Sequence, residues 1–152
     1  FKKNELNKII EDSINLMKTN DKDIDINFVS KKVYFVNSDY EQLNRVFINL
    51  FKNSIESLKE KSEKMGNFQK KINVEIQFIN DYINITVNDN GKGFTNSNPK
   101  IFSKPYFTTK KEGSGLGLSI VEKILNDHNG FIEFIPQKEG AKIKILLPKY
   151  VN

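Results

Sequence analysis

Two alternating stretches, "INVEIQFI" at residues 72–79 and "YINITVND" at residues 82–89, meet at Asn80-Asp81. Side chains on a strand point alternately to its two faces, so Ile72, Val74, Ile76 and Phe78 fall on one face, opposite Ile83, Ile85 and Val87. The Asn-Asp pair supplies the turn, and the two runs predict a β-hairpin. A lone hairpin with one apolar face is marginal in water, so the remaining chain has to add strands to its edges and a layer over that face.

The flanking segments have the patterns for both. In "ELNKIIEDSINLMK", residues 5–18, Leu6, Ile9, Ile10, Ser13, Leu16 and Met17 recur at helical spacing, and "TNDKD" then breaks the pattern. "INFVSKKVYFV" reads as one or two short strands, after which Ser38 or Asp39 can cap a second helix over about 40–61. The polar stretch from Lys61 to Lys71, with Gly66, predicts a surface loop. Residues 90–112 carry glycine, proline and serine without regular periodicity, a length that in a compact domain points to a lid or binding loop. A third helix over about 116–128 and strands "FIEFIP" and "AKIKILLP" complete the chain. Strands cluster rather than alternate singly with helices, which predicts an α+β fold: a two-layer α/β sandwich with a mixed β-sheet.

With 152 residues, 38% of them hydrophobic, one core can form without metal or disulfide staples. The absence of cysteine excludes thiolate chemistry and a disulfide framework, and a cytoplasmic setting is the expectation. No apolar run approaches eighteen residues and no signal peptide is present, so this segment is expected to make no membrane contact; beginning at Phe1, it reads as a piece of a longer protein. The net charge of +5 is scattered and interleaved with acids, as in "KEKSEK", which argues for a solvated surface and against nucleic-acid binding.

Four segments stand out chemically. "GSGLGL", residues 113–118, puts glycines where a helix begins; unpaired N–H groups there can take a phosphate, although a purely structural turn fits equally. Its spacing departs from both the dinucleotide fingerprint and the Walker loop. "DNGKGF", residues 89–94, ends a strand with a carboxylate beside two glycines: either a simple Asp-Asn-Gly turn or an acceptor for the amino group of adenine. On the second helix Gln42, Arg45, Asn49, Lys52, Asn53, Glu56 and Glu60 form a polar stripe opposite Leu43, Phe47, Leu50, Phe51, Ser54 and Leu58. Asn49 and Asn53 lie one turn apart in it, either merely solvated or able to complete a magnesium shell. "IFSKPYFTTKK", residues 101–111, offers aromatic anchors followed by Lys110, either packing under a loop or steadying a mobile segment over a polyphosphate.

Taken in order, "NLFKNSIES", "DNGKGF", "FSKPYFTTK" and "GSGLGL" resemble the asparagine, first glycine, phenylalanine and second glycine boxes of the catalytic domain of sensor histidine kinases, with "KPYFTTK" similar to the nitrogen-regulation branch. The resemblance runs from about Ile24 to Pro148 and implies the Bergerat ATP-binding fold. It implies that Asp89 holds the adenine amino group and that Gly91 and Gly93 bring backbone close to the base. Asn53, with Asn49, would face Mg2+, while Lys110 and the amides of Gly113, Ser114, Gly115, Leu116 and Gly117 would hold the phosphates of ATP beneath a lid over about 94–113. In hydrolysing relatives a glutamate stands where Asn49 is; Asn49 is no base, so the resemblance implies slow hydrolysis and transfer to a histidine outside the chain. His128, the only histidine, sits at a helix end in "NDHNG" without the context of an acceptor. Arg45 is the only arginine, so lysines must carry any cationic role in the lid, and Glu56 stands where some branches place a lysine.

The implied partners are a histidine-containing dimerisation domain, with residues 1–20 leading from it into a catalytic domain over 21–152, a homodimer in the full-length protein, and a downstream response regulator. Three alternatives remain: a nucleotide-sensing module without transfer, an anti-sigma-type serine kinase, and an ATPase of the same superfamily, the last disfavoured by Asn49.

Overall fold

The computed structural model describes residues 1–18, 23–93 and 117–152. The elements are β1 (Lys2–Glu5), α1 (Leu6–Lys18), β2 (Ile24–Phe28), β3 (Phe35–Ser38), α2 (Tyr40–Met65), β4 (Lys70–Ile79), β5 (Tyr82–Asp89), α3 (Gly117–Asp127), β6 (Phe131–Ile135) and β7 (Ala141–Pro148).

The expected hairpin is β4–β5, antiparallel with Val74 opposite Val87 and Ile76 opposite Ile85, and Asn80 takes the positive φ of 54° that the turn needs. Strand β7 pairs antiparallel with β5, and β6 with β7. Strand β2 joins the other edge parallel to β4, which gives a mixed sheet ordered β2-β4-β5-β7-β6. Ile72, Val74, Ile83, Ile85, Val87, Ile143, Ile145 and Leu147 are buried along one face. The helices cover that face and share its core through Leu6, Ile9, Leu43, Phe47, Leu50, Phe51, Val121 and Leu125. This is the two-layer sandwich predicted from the order of the elements.

Differences from expectation have local causes. In α1 the inward stripe is Leu6, Ile9, Ile10, Ser13, Ile14 and Met17, and Leu16 is half-exposed. Ser13 replaces a methyl contact with hydrogen bonds, its Oγ donating to the Ile9 carbonyl at 2.8 Å and accepting from Asn44 Nδ2 of α2 at 2.9 Å. Helix α2 runs on to Met65 where a loop from Lys61 was expected. Residues 61–64 are polar and Met65 is exposed, so no apolar stripe marks this last stretch, and the helix stops at Gly66, whose φ of 80° suits a residue without Cβ and whose N–H bonds the Ser62 carbonyl.

Strand β1 was not foreseen. "KKNE" has no apolar alternation, and it becomes a strand by pairing antiparallel with β3 in a separate two-stranded sheet. The side chain of Asn7 fixes the loop between β2 and β3, donating to the Lys32 carbonyl and accepting from the Tyr34 N–H, both at 2.8 Å. Within the stretch 1–20, expected to lead in from an upstream domain, Leu6, Ile9, Ile10, Ile14 and Met17 pack into the same core as the sheet.

Candidate functional site

Asp89 closes β5 on the buried face and is only 5% exposed. Its Oδ1 accepts the Gly91 N–H at 2.9 Å. Burial pushes its carboxyl above the usual carboxylate range, opposed by hydrogen bonds from Gly91, Ser54 and Ala141 and by the charge of Lys61. A buried acid with several donors aimed at it is an acceptor held in one orientation.

The two glycines that follow are required by packing. A Cβ on Gly91 would lie 2.4 Å from Ser57 Oγ and 2.9 Å from Asp89 Oδ1. Gly93 has φ of 76°, and a Cβ there would lie 2.6 Å from the Gly140 carbonyl oxygen. Gly140 itself, φ 72°, presses on Asp89 so closely that a Cβ would overlap its carbonyl oxygen. The spacing Asp-x-Gly-x-Gly therefore lets this loop lie flat between α2 and the β6–β7 turn, leaving bare backbone around the carboxylate.

Helix α2 passes beside the loop. Its Asp39 N-cap, with the carboxylate accepting Gln42 N–H at 3.0 Å, fixes where the helix starts, and the apolar face of Leu43, Phe47, Leu50 and Phe51 fixes its rotation. Asn49 and Asn53 then stand half-buried, one turn apart, on the polar stripe next to the Ser54 and Ser57 turn that meets Asp89 and Gly91. The structure thus brings Asp89, Gly91, Gly93 and the turn carrying Asn53 together.

Helix α3 begins at Gly117 and packs on α2 through Val121, Ile124 and Leu125. Its far end is tied to the start of α2, because His128 Nε2 accepts the Asp39 N–H at 3.1 Å. From that anchor back to Gly117 the eleven-residue helix rises about 16 Å. Apart from its chain neighbours and the backbone of its own helix, no atom of the described residues lies within 4 Å of where a Gly117 Cβ would stand. Of the expected phosphate-binding residues Gly117 alone is described; Lys110, Gly113, Ser114, Gly115, Leu116 and the expected lid over 94–113 lie outside the described residues.

His128 is buried, stacks on Phe1 with ring centroids 4.3 Å apart, and has its Nδ1 on the Ile124 carbonyl at 2.7 Å. A carbonyl at Nδ1 and an N–H at Nε2 define the neutral Nδ1–H tautomer, with both nitrogens engaged. It is a clamp between two helices, in keeping with its reading as a helix-end residue. Among the described residues no cluster of three or more His, Asp or Glu side chains could hold a metal ion.

Sequence reading missed several residues of this site. Ser57 accepts the Lys92 N–H at 3.0 Å, Lys61 donates to the Asn90 carbonyl at 2.8 Å, and Glu60 forms an ion pair with Lys92. Asn90 bridges to β4, accepting Lys71 N–H at 2.9 Å and donating to the Gln69 carbonyl at 2.8 Å. The available signal was the spacing of Ser54, Ser57, Glu60 and Lys61 along one side of α2.

Residues 38–151 match the family model described as histidine kinase-, DNA gyrase B-, and HSP90-like ATPase. The chain is 39% identical over 108 residues to an NtrY-like sensor histidine kinase of Rickettsia bellii, covering 69% of this chain and 16% of that protein. It is 33% identical over 148 residues to the sensor histidine kinase ZraS of Salmonella typhimurium, covering 94% of this chain and 30% of that protein. The nucleotide-free catalytic domain of histidine kinase ThkA superposes with a TM-score of 0.82 at 29% identity, over 98% of this chain and 95% of that one. The chain therefore spans a third or less of the two curated relatives and nearly all of a solved catalytic domain.

Proposed function

Because the chain belongs to the family of histidine kinase-, DNA gyrase B- and HSP90-like ATPases, we propose that it is the ATP-binding catalytic domain of a two-component sensor histidine kinase. The observation that carries this reading is Asp89: a buried carboxylate, oriented by Gly91 and Ser54, beside glycine backbone. Adenine offers an amino group to such an acceptor, whereas guanine offers a carbonyl, a mismatch of roughly 1–3 kcal/mol.

Two asparagine amide oxygens suit the hard, oxygen-loving Mg2+, whose remaining ligands are phosphates and water, so Asn53, with Asn49, would hold it. When bound, Mg-ATP supplies the phosphoryl group and neutralises its charge. Gly117 and the amides of residues 113–116 would offer donors to the phosphates at the start of α3, Lys110 would add a cation, and residues 94–113 would close over the nucleotide. Asn49 cannot take a proton from water, so catalysis here consists of orientation and charge neutralisation. The acceptor is a histidine on a dimerisation domain outside this chain, in a homodimeric cytoplasmic kinase that then serves a response regulator. His128 is unsuited to that role, being buried with both nitrogens engaged.

The test is to titrate the chain with ATP and with GTP in Mg2+, then add γ-labelled ATP and a histidine-bearing helical dimer. ATP should bind, GTP should bind at least tenfold more weakly, and label should reach the histidine with little free phosphate. Rapid phosphate release without any labelled histidine would overturn the kinase reading in favour of an ATPase.

A further inference from the structure

Between the buried carboxylate and the surface, helix α2 grips residues 89–92 at successive points. Ser54 bonds the Asp89 side chain, Ser57 Oγ accepts the Lys92 N–H at 3.0 Å, Lys61 Nζ donates to the Asn90 carbonyl at 2.8 Å, and Glu60 pairs with the Lys92 ammonium. These four residues are spaced three or four apart, with Glu60 and Lys61 adjacent, so they form one row on one side of the helix. The row adjoins Asn53. Ser57 lies at its centre, in contact with the spot where any residue but glycine would put a Cβ at position 91.

We propose that this row sets the direction in which Asp89 meets the base, with Ser57 as a positioning residue that determines selectivity for the 6-amino group of adenine. The inference rests on the reading of Asp89 as the base-holding group. Gly91 is pinned on both sides: its own N–H bonds Asp89 Oδ1 and the N–H of the next residue, Lys92, bonds Ser57 Oγ. Removing the Ser57 acceptor releases the second pin. The Gly91 N–H then no longer holds Oδ1 in a fixed place, and the carboxylate samples a wider range of directions. A hydrogen bond to an amino group depends on that direction, whereas stacking on the ring and contacts to the phosphates do not.

The experiment compares ATP with purine riboside triphosphate, which lacks the amino group, by titration calorimetry on the wild-type chain, Ser57→Ala and Glu60→Gln. The wild type should prefer ATP by about 10-fold or more, the value of a hydrogen bond to a buried charged acceptor. Ser57→Ala should cut that preference by about 5-fold while leaving affinity for the analogue unchanged, and Glu60→Gln should cut it by a smaller factor. Equal loss for both nucleotides would make Ser57 a structural support only, and an unchanged preference in both variants would also overturn the proposal. A wild-type chain that binds ATP and the analogue equally would instead overturn the role of Asp89.

Discussion

An acid as buried as Asp89 works against the fold that contains it. With its carboxyl raised above the usual range chiefly by burial, its contribution to stability is present below that range and is lost as pH rises through the raised value. Burial disfavours the charged form of this carboxyl in the ligand-free protein, and Asp89→Asn should melt at the same temperature as the wild type or higher. The same variant should lose ATP affinity by about 10- to 100-fold, read by titration; unchanged affinity would remove Asp89 from the base site. Gly91→Ala tests the opposite balance. Its Cβ would meet Ser57 Oγ at 2.4 Å, so destabilisation of about 1–3 kcal/mol is expected in denaturant unfolding, with weaker ATP binding. Asp89 and both glycines could be picked out in "DNGKGF", but the reason for the glycines could not. They answer to Ser57 and Gly140, which lie 34 residues before Gly91 and 47 after Gly93 in the chain.

Among elements, α2 matters most, since one helix carries Asn49, Asn53 and the row that grips the loop. Its start is fixed by the Asp39 cap, and Asp39→Ala should lower unfolding free energy by about 1 kcal/mol, with ATP affinity falling as the helix frays or shifts. Near the same end the Tyr40 hydroxyl bonds Asp12 of α1, and that contact pushes the phenol up to about 12. A raised phenol contributes stability that is complete below its ordinary value of about 10 and is lost as pH climbs through about 12. Comparing melting of the wild type and Tyr40→Phe between those values should show the wild type declining more steeply. The length of α2 was misjudged because residues 61–65 lack apolar periodicity, and only the φ of Gly66 marks where the helix ends. β1 was invisible for a related reason: its strand character comes from β3 and not from its own side chains.

For the molecule as a whole, residues 1–18 decide how much of the chain is needed to fold. Leu6, Ile9, Ile10, Ile14 and Met17 are all buried in the shared core. At about 1.5–3 kcal/mol for each buried side chain they contribute an amount comparable with the entire 5–15 kcal/mol stability of a domain. A chain beginning at residue 23 should therefore show no cooperative melting, and a sharp transition at the wild-type temperature would disprove the dependence. Charge is also distributed at this scale: Lys61, Lys70, Lys92, Lys123 and Lys149 each sit against an acid, so the surplus of +5 does not gather on them.

The alternation of residues 72–89, the helical stripe of 40–60 and the order of the elements were enough to determine a two-layer mixed sandwich, because periodicity and turn chemistry act over a few residues; Asp89, Asn49 and Asn53 were marked as candidates by the resemblance of their motifs. Tertiary structure alone decided that β2 lies parallel to β4, that residues 1–18 share the core, that His128 fastens α3 to α2, and that Ser57 and Gly140 frame the carboxylate. Each of these joins segments far apart in sequence, and their partners are selected by burial and by backbone groups that every residue has, which leaves little trace in the local pattern.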